Sequence, residues 1–136
     1  VLQPPGRSLR TAAVAGTSVF IAREAGRPIG DLPEALAISV ITVAELELGV
    51  LRATGTTSRA QRLATLSAVR AACPLLPIDA EVASCFSRLA ATELEAGRRL
   101  RRHDTWIAAT ALRHGVPVVT QDADFSSFSA VEVIRV

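Results

Sequence analysis

Two segments hold the residues that could do chemistry. Arg101-Arg102-His103-Asp104-Thr105-Trp106-Ile107-Ala108-Ala109-Thr110-Ala111 reads as a helix that opens on an acid, and Val118-Val119-Thr120-Gln121-Asp122-Ala123-Asp124-Phe125 as a buried strand that ends on two more. Acids at the ends of adjacent elements of an α/β fold lie in the crevice beyond the strand ends, where such folds bind ligands. Carboxylates gathered there repel one another, and a hard divalent cation with oxygen ligands relieves that repulsion. The pattern predicts a Mg²⁺ or Mn²⁺ site.

A third acid, Glu45, lies in Ile38-Ser39-Val40-Ile41-Thr42-Val43-Ala44-Glu45-Leu46-Glu47-Leu48-Gly49. Two readings of it stand. Thr42 and Glu45 fit a capping box at a helix start, or the Glu45 carboxylate reaches the strand-end crevice, with Gly49 one turn on leaving space beside it. Asp104 is equally a helix N-cap or a ligand, and Asp122 and Asp124 are equally turn residues or ligands. Arg98, Arg99, Arg101 and Arg102 form either a solvated helix end or a clamp for phosphate. His103 reads as an idle surface histidine against the alternative of a proton donor. Trp106 reads as core rather than a stacking platform for a base, and His114 as a partner of the helix dipole.

The elements that must position these residues follow from turn and cap signals. Val1–Arg10, with Pro4-Pro5-Gly6, reads as a flexible leader before one domain over 11–136. Strands are expected at Thr11–Ala15, Ala37–Ile41, Leu75–Ile78, Val116–Thr120 and Val131–Val136. Helices are expected near Val19–Glu24, over Thr42–Ala53 and Arg59–Ala72, from the cap Asp79 to about Ala96, and over Asp104–His114, with loop or irregular helix at Ile29–Ala35. Strands alternating with helices predict an α/β layer fold with a mainly parallel sheet.

Composition bounds the rest. The 136 residues are 49% hydrophobic with 4% aromatics, enough for one buried core and against disorder. All the basic residues are arginine, which coding bias explains as readily as phosphate recognition. A net charge of +2 does not by itself point to nucleic acid. Cys73 and Cys85 lack zinc spacing and read as reduced thiols. No apolar run has the length of a membrane span. Gly16-Thr17-Ser18 interrupts the short apolar stretch Thr11–Ala22, which weighs against a signal peptide and for a cytoplasmic protein.

Taken together, Ile38–Gly49, Asp104–Ala111 and Thr120–Phe125 resemble the motif blocks of PIN-domain ribonucleases, especially the VapC-type toxins of bacterial toxin–antitoxin pairs. The resemblance runs from about Thr11 to Val136. It implies a three-layer α/β/α sandwich, clustered acids holding Mg²⁺ or Mn²⁺, cleavage of RNA, a homodimer, and silencing by a cognate antitoxin. Its acidic positions fall on Glu45, Asp104 and Asp122, with Asp124 as accessory ligand, Thr17, Ser18 and Thr120 as supporting hydroxyls, and the four arginines as RNA contacts. In Val14-Ala15-Gly16-Thr17-Ser18-Val19-Phe20, however, Gly16 stands where the family's first aspartate belongs. Glycine offers no side-chain oxygen, so a rival expectation is a PIN-fold binding protein that pairs with an antitoxin, or with an antitoxin and RNA, without cutting. A nucleotide-binding α/β domain is disfavoured because no Gly-rich phosphate loop is present.

Overall fold

A computed structural model describes residues 12–136, so the expected leader over 1–10 lies outside the described residues. The elements run β1 (Ala12–Ala15), α1 (Thr17–Glu24), β2 (Ala35–Ser39), α2 (Val40–Leu51), α3 (Thr56–Ala72), β3 (Leu75–Leu76), α4 (Ala80–Glu95), α5 (Arg102–His114), β4 (Val118–Thr120), a 3₁₀ turn (Ala123–Ser127) and β5 (Val133–Arg135). The sheet order is β3-β2-β1-β4-β5 and every pairing is parallel. Chain order therefore reverses at β1, which makes the β1–β4 boundary the topological switch point.

The strands are short and apolar because both faces are covered. Val14 and Val118 face the side packed by Val82, Leu89, Ile107 and Ala108 of α4 and α5. Their neighbours turn the other way: Ala15 packs with Phe20, Ile38, Leu46 and Leu66, and Ala13 with Val19 and Val119. This two-residue alternation gives the α/β/α layering. Ala108, Ala109 and Ala111 of α5 are fully buried, so small side chains let that helix approach the sheet closely. Burying Ile107 beside them contributes about 2 kcal/mol. At the end of α5, Gly115 adopts φ +66°, and Val116 N–H closes the turn on the Ala111 carbonyl. Only glycine takes that conformation without strain. No helix among the described residues is long and apolar enough to cross a membrane.

Four helices start two or three residues before the sequence expectation, at Thr17, Val40, Thr56 and Arg102, and two of these differences bear on the acids. The Ser39 hydroxyl accepts hydrogen bonds from the Ile41 and Thr42 amides, so α2 starts at Val40 rather than Thr42. Glu45 is then well inside the helix and cannot complete a capping box. Helix α5 starts at Arg102 with Arg101 as the flanking residue, so Asp104 occupies the first turn and is not the cap. Asp79 does cap α4, accepting from the Val82 amide at 2.9 Å. The 3₁₀ turn after Asp122, unforeseen in the sequence, forms because the Asp122 carboxylate accepts from the Asp124 amide at 2.8 Å.

Candidate functional site

The candidate site lies at the carboxyl ends of β1 and β4. The Gly16 amide donates to the Val119 carbonyl at 2.8 Å, bringing the end of β1 beside the end of β4. Helix α5 returns the chain toward the start of β4, so its own first turn lies at this same edge. Arg101 shows it directly: the residue just before α5 touches Asp124 and Ser127 just after β4.

Glu45 projects from α2 into this edge. One carboxylate oxygen accepts from Thr17 Oγ1 at 2.6 Å, and Thr17 Oγ1 also lies 3.1 Å from Thr42 Oγ1. The other lies 3.3 Å from His103 Nδ1. The histidine expected to be idle thus faces an acid of the site. An open depression of about 350 Å³ adjoins Glu45, and Thr17, Arg52, Arg62 and His103 help to line it. Gly49 leaves room as expected, and Arg62 fills it, donating to the Gly49 carbonyl at 2.8 Å.

Asp104 is half-buried, and burial pushes its carboxyl above the ordinary aspartate range. The Arg101 guanidinium opposes that rise, while the charges of Asp122 and Glu45 add to it. Like charges on neighbouring acids disfavour the ionised form of Asp104 in the same direction as its burial. Arg101 donates to Asp104 Oδ2 at 3.0 Å.

Asp122 is placed by a hydroxyl relay. Ser18 Oγ lies 3.2 Å from Thr120 Oγ1. Ser18 accepts from the Gln121 amide at 3.0 Å, and Thr120 from the Asp122 amide at 2.9 Å. The Gln121 amide group donates to the carbonyls of Pro28 and Val136, anchoring the turn. Asp124 is exposed, and its contacts with the site run through its backbone.

Among the described residues, no three His, Cys, Asp or Glu side chains converge closely enough to hold a metal ion. The orientations above give the reason: Glu45 turns to Thr17 and His103, Asp104 to Arg101, and Asp122 to its own turn. The end of β1 adds no charge, because Gly16 is there. Nothing in the backbone demands that glycine. Its φ of −70° and ψ of 154° are open to any residue, and an added Cβ would meet the Val119 carbonyl oxygen at 3.4 Å and Thr120 at 3.5 Å, ordinary contacts.

The four arginines divide into two kinds. Arg98 and Arg101 are engaged internally by Glu93, an acid that is 2% exposed. Arg98 Nε donates to it at 2.7 Å, and Arg101 lies 3.9 Å away on its other oxygen. Burial raises the Glu93 carboxyl, but hydrogen bonds from Arg98 and Ser127 and the two guanidinium charges outweigh it, and the net effect is a lowered pKa. Arg99 and Arg102 are exposed, and no carboxylate among the described residues pairs with them. Trp106 packs inward as expected, stacked on Phe86 with centroids 4.0 Å apart.

Glu93 escaped the sequence reading, although a signal was present. Val82, Cys85, Leu89 and Glu93 recur at spacings that share one helix face, and the first three are core. An acid on an apolar stripe requires buried partners.

Residues 16–131 match the family model of the PIN domain. Over 130 residues the chain is 48% identical to Ribonuclease VapC5 of Mycobacterium tuberculosis, covering 92% of this chain and 96% of the relative. It is 35% identical over 99 residues to Toxin FitB of Neisseria gonorrhoeae, covering 71% and 70%. The solved structure of VapBC-5 from Mycobacterium tuberculosis, a member of the VapBC family of toxin-antitoxin systems, superposes with a TM-score of 0.82 at 46% identity, covering 93% of this chain and 99% of that one. With the strand-end acids and the parallel sheet, these likenesses make the chain a VapC-type member of the PIN-domain family.

Proposed function

We propose that the chain is a metal-dependent endoribonuclease, the toxin half of a toxin–antitoxin pair, acting in the cytoplasm as a homodimer. The observation that carries the reading is the position of three carboxylates at the switch-point edge, Glu45 held by Thr17, Asp104 by Arg101, and Asp122 following Thr120 at the end of β4. The relatives named ribonucleases and the VapBC complex support the activity and the partner class.

The donor chemistry fits Mg²⁺ or Mn²⁺. It consists of hard carboxylate oxygens whose charges repel, with Glu45, Asp104 and Asp122 as ligands and Asp124 as the accessory. A bound cation supplies a water of lowered pKa and counter-charge for the phosphate. The chain's own residues do the rest. Thr17 orients Glu45, the Ser18–Thr120 relay sets Asp122, and exposed Arg99 and Arg102 draw in the RNA backbone. A single-stranded loop is the favoured substrate, since its backbone and bases are accessible. Exposed Ile21, Leu48, Leu51 and Leu63 offer apolar surface for the dimer partner and the antitoxin segment.

A second reading, a partner-binding protein without cleavage, is favoured by Gly16 and by the unconverged acids. Incubating labelled single-stranded RNA with the parent and with Asp104→Asn, in Mn²⁺ and in EDTA, decides between them. Cleavage that needs both Mn²⁺ and Asp104 supports the nuclease. Absence of cleavage, with the antitoxin still copurifying, supports the binding protein.

A further inference from the structure

Arg101 lies in the sequence among the arginines that invite a phosphate-contact role, yet its guanidinium is spent inside the protein. Its side chain is only 18% exposed. Nη1 donates to Asp104 Oδ2 at 3.0 Å. Nη2 donates to the Asp124 carbonyl at 2.7 Å and to Ser127 Oγ at 3.0 Å. The plane lies over the Phe128 ring, 5.0 Å from its centroid. Behind it, Glu93 accepts from Ser127 Oγ at 2.6 Å and pairs with Arg98.

We infer that Arg101, seated by the buried Glu93, is the positioning residue that ties the first turn of α5, with Asp104, to the 3₁₀ turn that carries Asp122 and Asp124. A planar guanidinium with several donors can bind three acceptors on two segments at once, whereas the ammonium of lysine is a compact point charge without the fork. By occupying one oxygen of Asp104, Arg101 offsets the repulsion among the acids and leaves the other oxygen for a ligand. Glu93 contacts neither Glu45, Asp104 nor Asp122, and its contacts lead toward the site through Arg101 and Ser127. The arrangement matches the way outer partners of metal ligands set their orientation.

This inference rests on the metal-dependent reading above, and its test separates the two. Mn²⁺ affinity is measured by electron paramagnetic resonance for the parent and for Glu93→Gln, Arg101→Met and Arg101→Lys, with the same set repeated in a Gly16→Asp background. Thermal melts define a temperature at which each variant is folded. Glu93→Gln and Arg101→Met are expected to weaken Mn²⁺ binding about 10-fold or more while folded, with Arg101→Lys between them and the parent. Amide hydrogen exchange at Asp124 and Phe125 should quicken in step. Variants that are folded, less stable and equal to the parent in Mn²⁺ affinity would reduce Arg101 to a structural tie and overturn the inference alone. Failure of both backgrounds to bind Mn²⁺ would overturn the metal reading and the positioning role together.

Discussion

Thr17 donates its hydroxyl to Glu45 at 2.6 Å, joining the first residue of α1 to the middle of α2. The bond fixes the one acid that comes from the opposite side of the switch point to Asp104 and Asp122. Thr17→Val keeps the shape and removes the donor. It should destabilise the chain by about 1.5 kcal/mol, at the low end for a bond to a charged group because Glu45 is partly solvated. Thr17→Ser should recover most of that. Denaturant titrations of both, combined with Glu45→Gln in a double-mutant cycle, read the coupling directly; zero coupling would make Thr17 a core residue only.

Glu93 provides a pH-dependent contribution. Its folded pKa is depressed, so its share of stability is complete above the ordinary glutamate value of about 4.3. That share is lost as pH falls through the lower folded value. The stability gap between parent and Glu93→Gln should therefore be widest near neutrality and shrink as pH falls below about 4.3 and through the lower folded value. Urea midpoints across that range measure it. A gap constant with pH would mean that the carboxylate's charge is not what holds the Arg98–Arg101 pair.

Much of this was legible in advance. Alternating strands and helices, Asp79 as a cap and Gly115 as a stop gave the layer fold with shifts of a few residues, because these signals are local. The expectation that Glu45, Asp104 and Asp122 act together rested on their places near element ends, and among the described residues their side chains do not converge. Ser39 displaced the α2 start because one hydroxyl can take two amides, a competition that Thr42 and Glu45 obscured. The roles of Arg98 and Arg101 could not be read from an arginine run, since what distinguishes them from Arg99 and Arg102 is Glu93 and Ser127, contacts that only tertiary packing supplies.

That division of the arginines predicts different mutant phenotypes. Arg99→Ala with Arg102→Ala should leave stability nearly unchanged and lower the salt slope of RNA binding by roughly 1.4, for two fewer phosphate contacts on a single strand. Arg98→Ala should instead destabilise the fold, since it strips a partner from buried Glu93. Filter binding across a salt series, alongside thermal melts, distinguishes them. An unchanged slope in the double variant would confine Arg99 and Arg102 to a solvated face.

Gly16 leaves the end of β1 without a carboxylate. Its negative φ and the ordinary contacts of an added Cβ mean that the backbone there accepts a side chain, so a failure of Gly16→Asp could not be blamed on backbone strain. Without metal the new carboxylate adds to the repulsion already felt at Asp104, and the variant should be no more stable than the parent. With Mn²⁺ a fourth oxygen donor should raise affinity, and the gain in melting temperature on adding Mn²⁺ should exceed the parent's, because binding free energy adds to folding free energy. RNA cleavage should quicken correspondingly. Calorimetry and a labelled-RNA assay at fixed ionic strength measure both. Should Gly16→Asp change neither affinity nor rate while Glu45→Gln abolishes cleavage, the end of β1 is not part of the site, and the Ser18 and Thr120 hydroxyls beside it are the groups to test next.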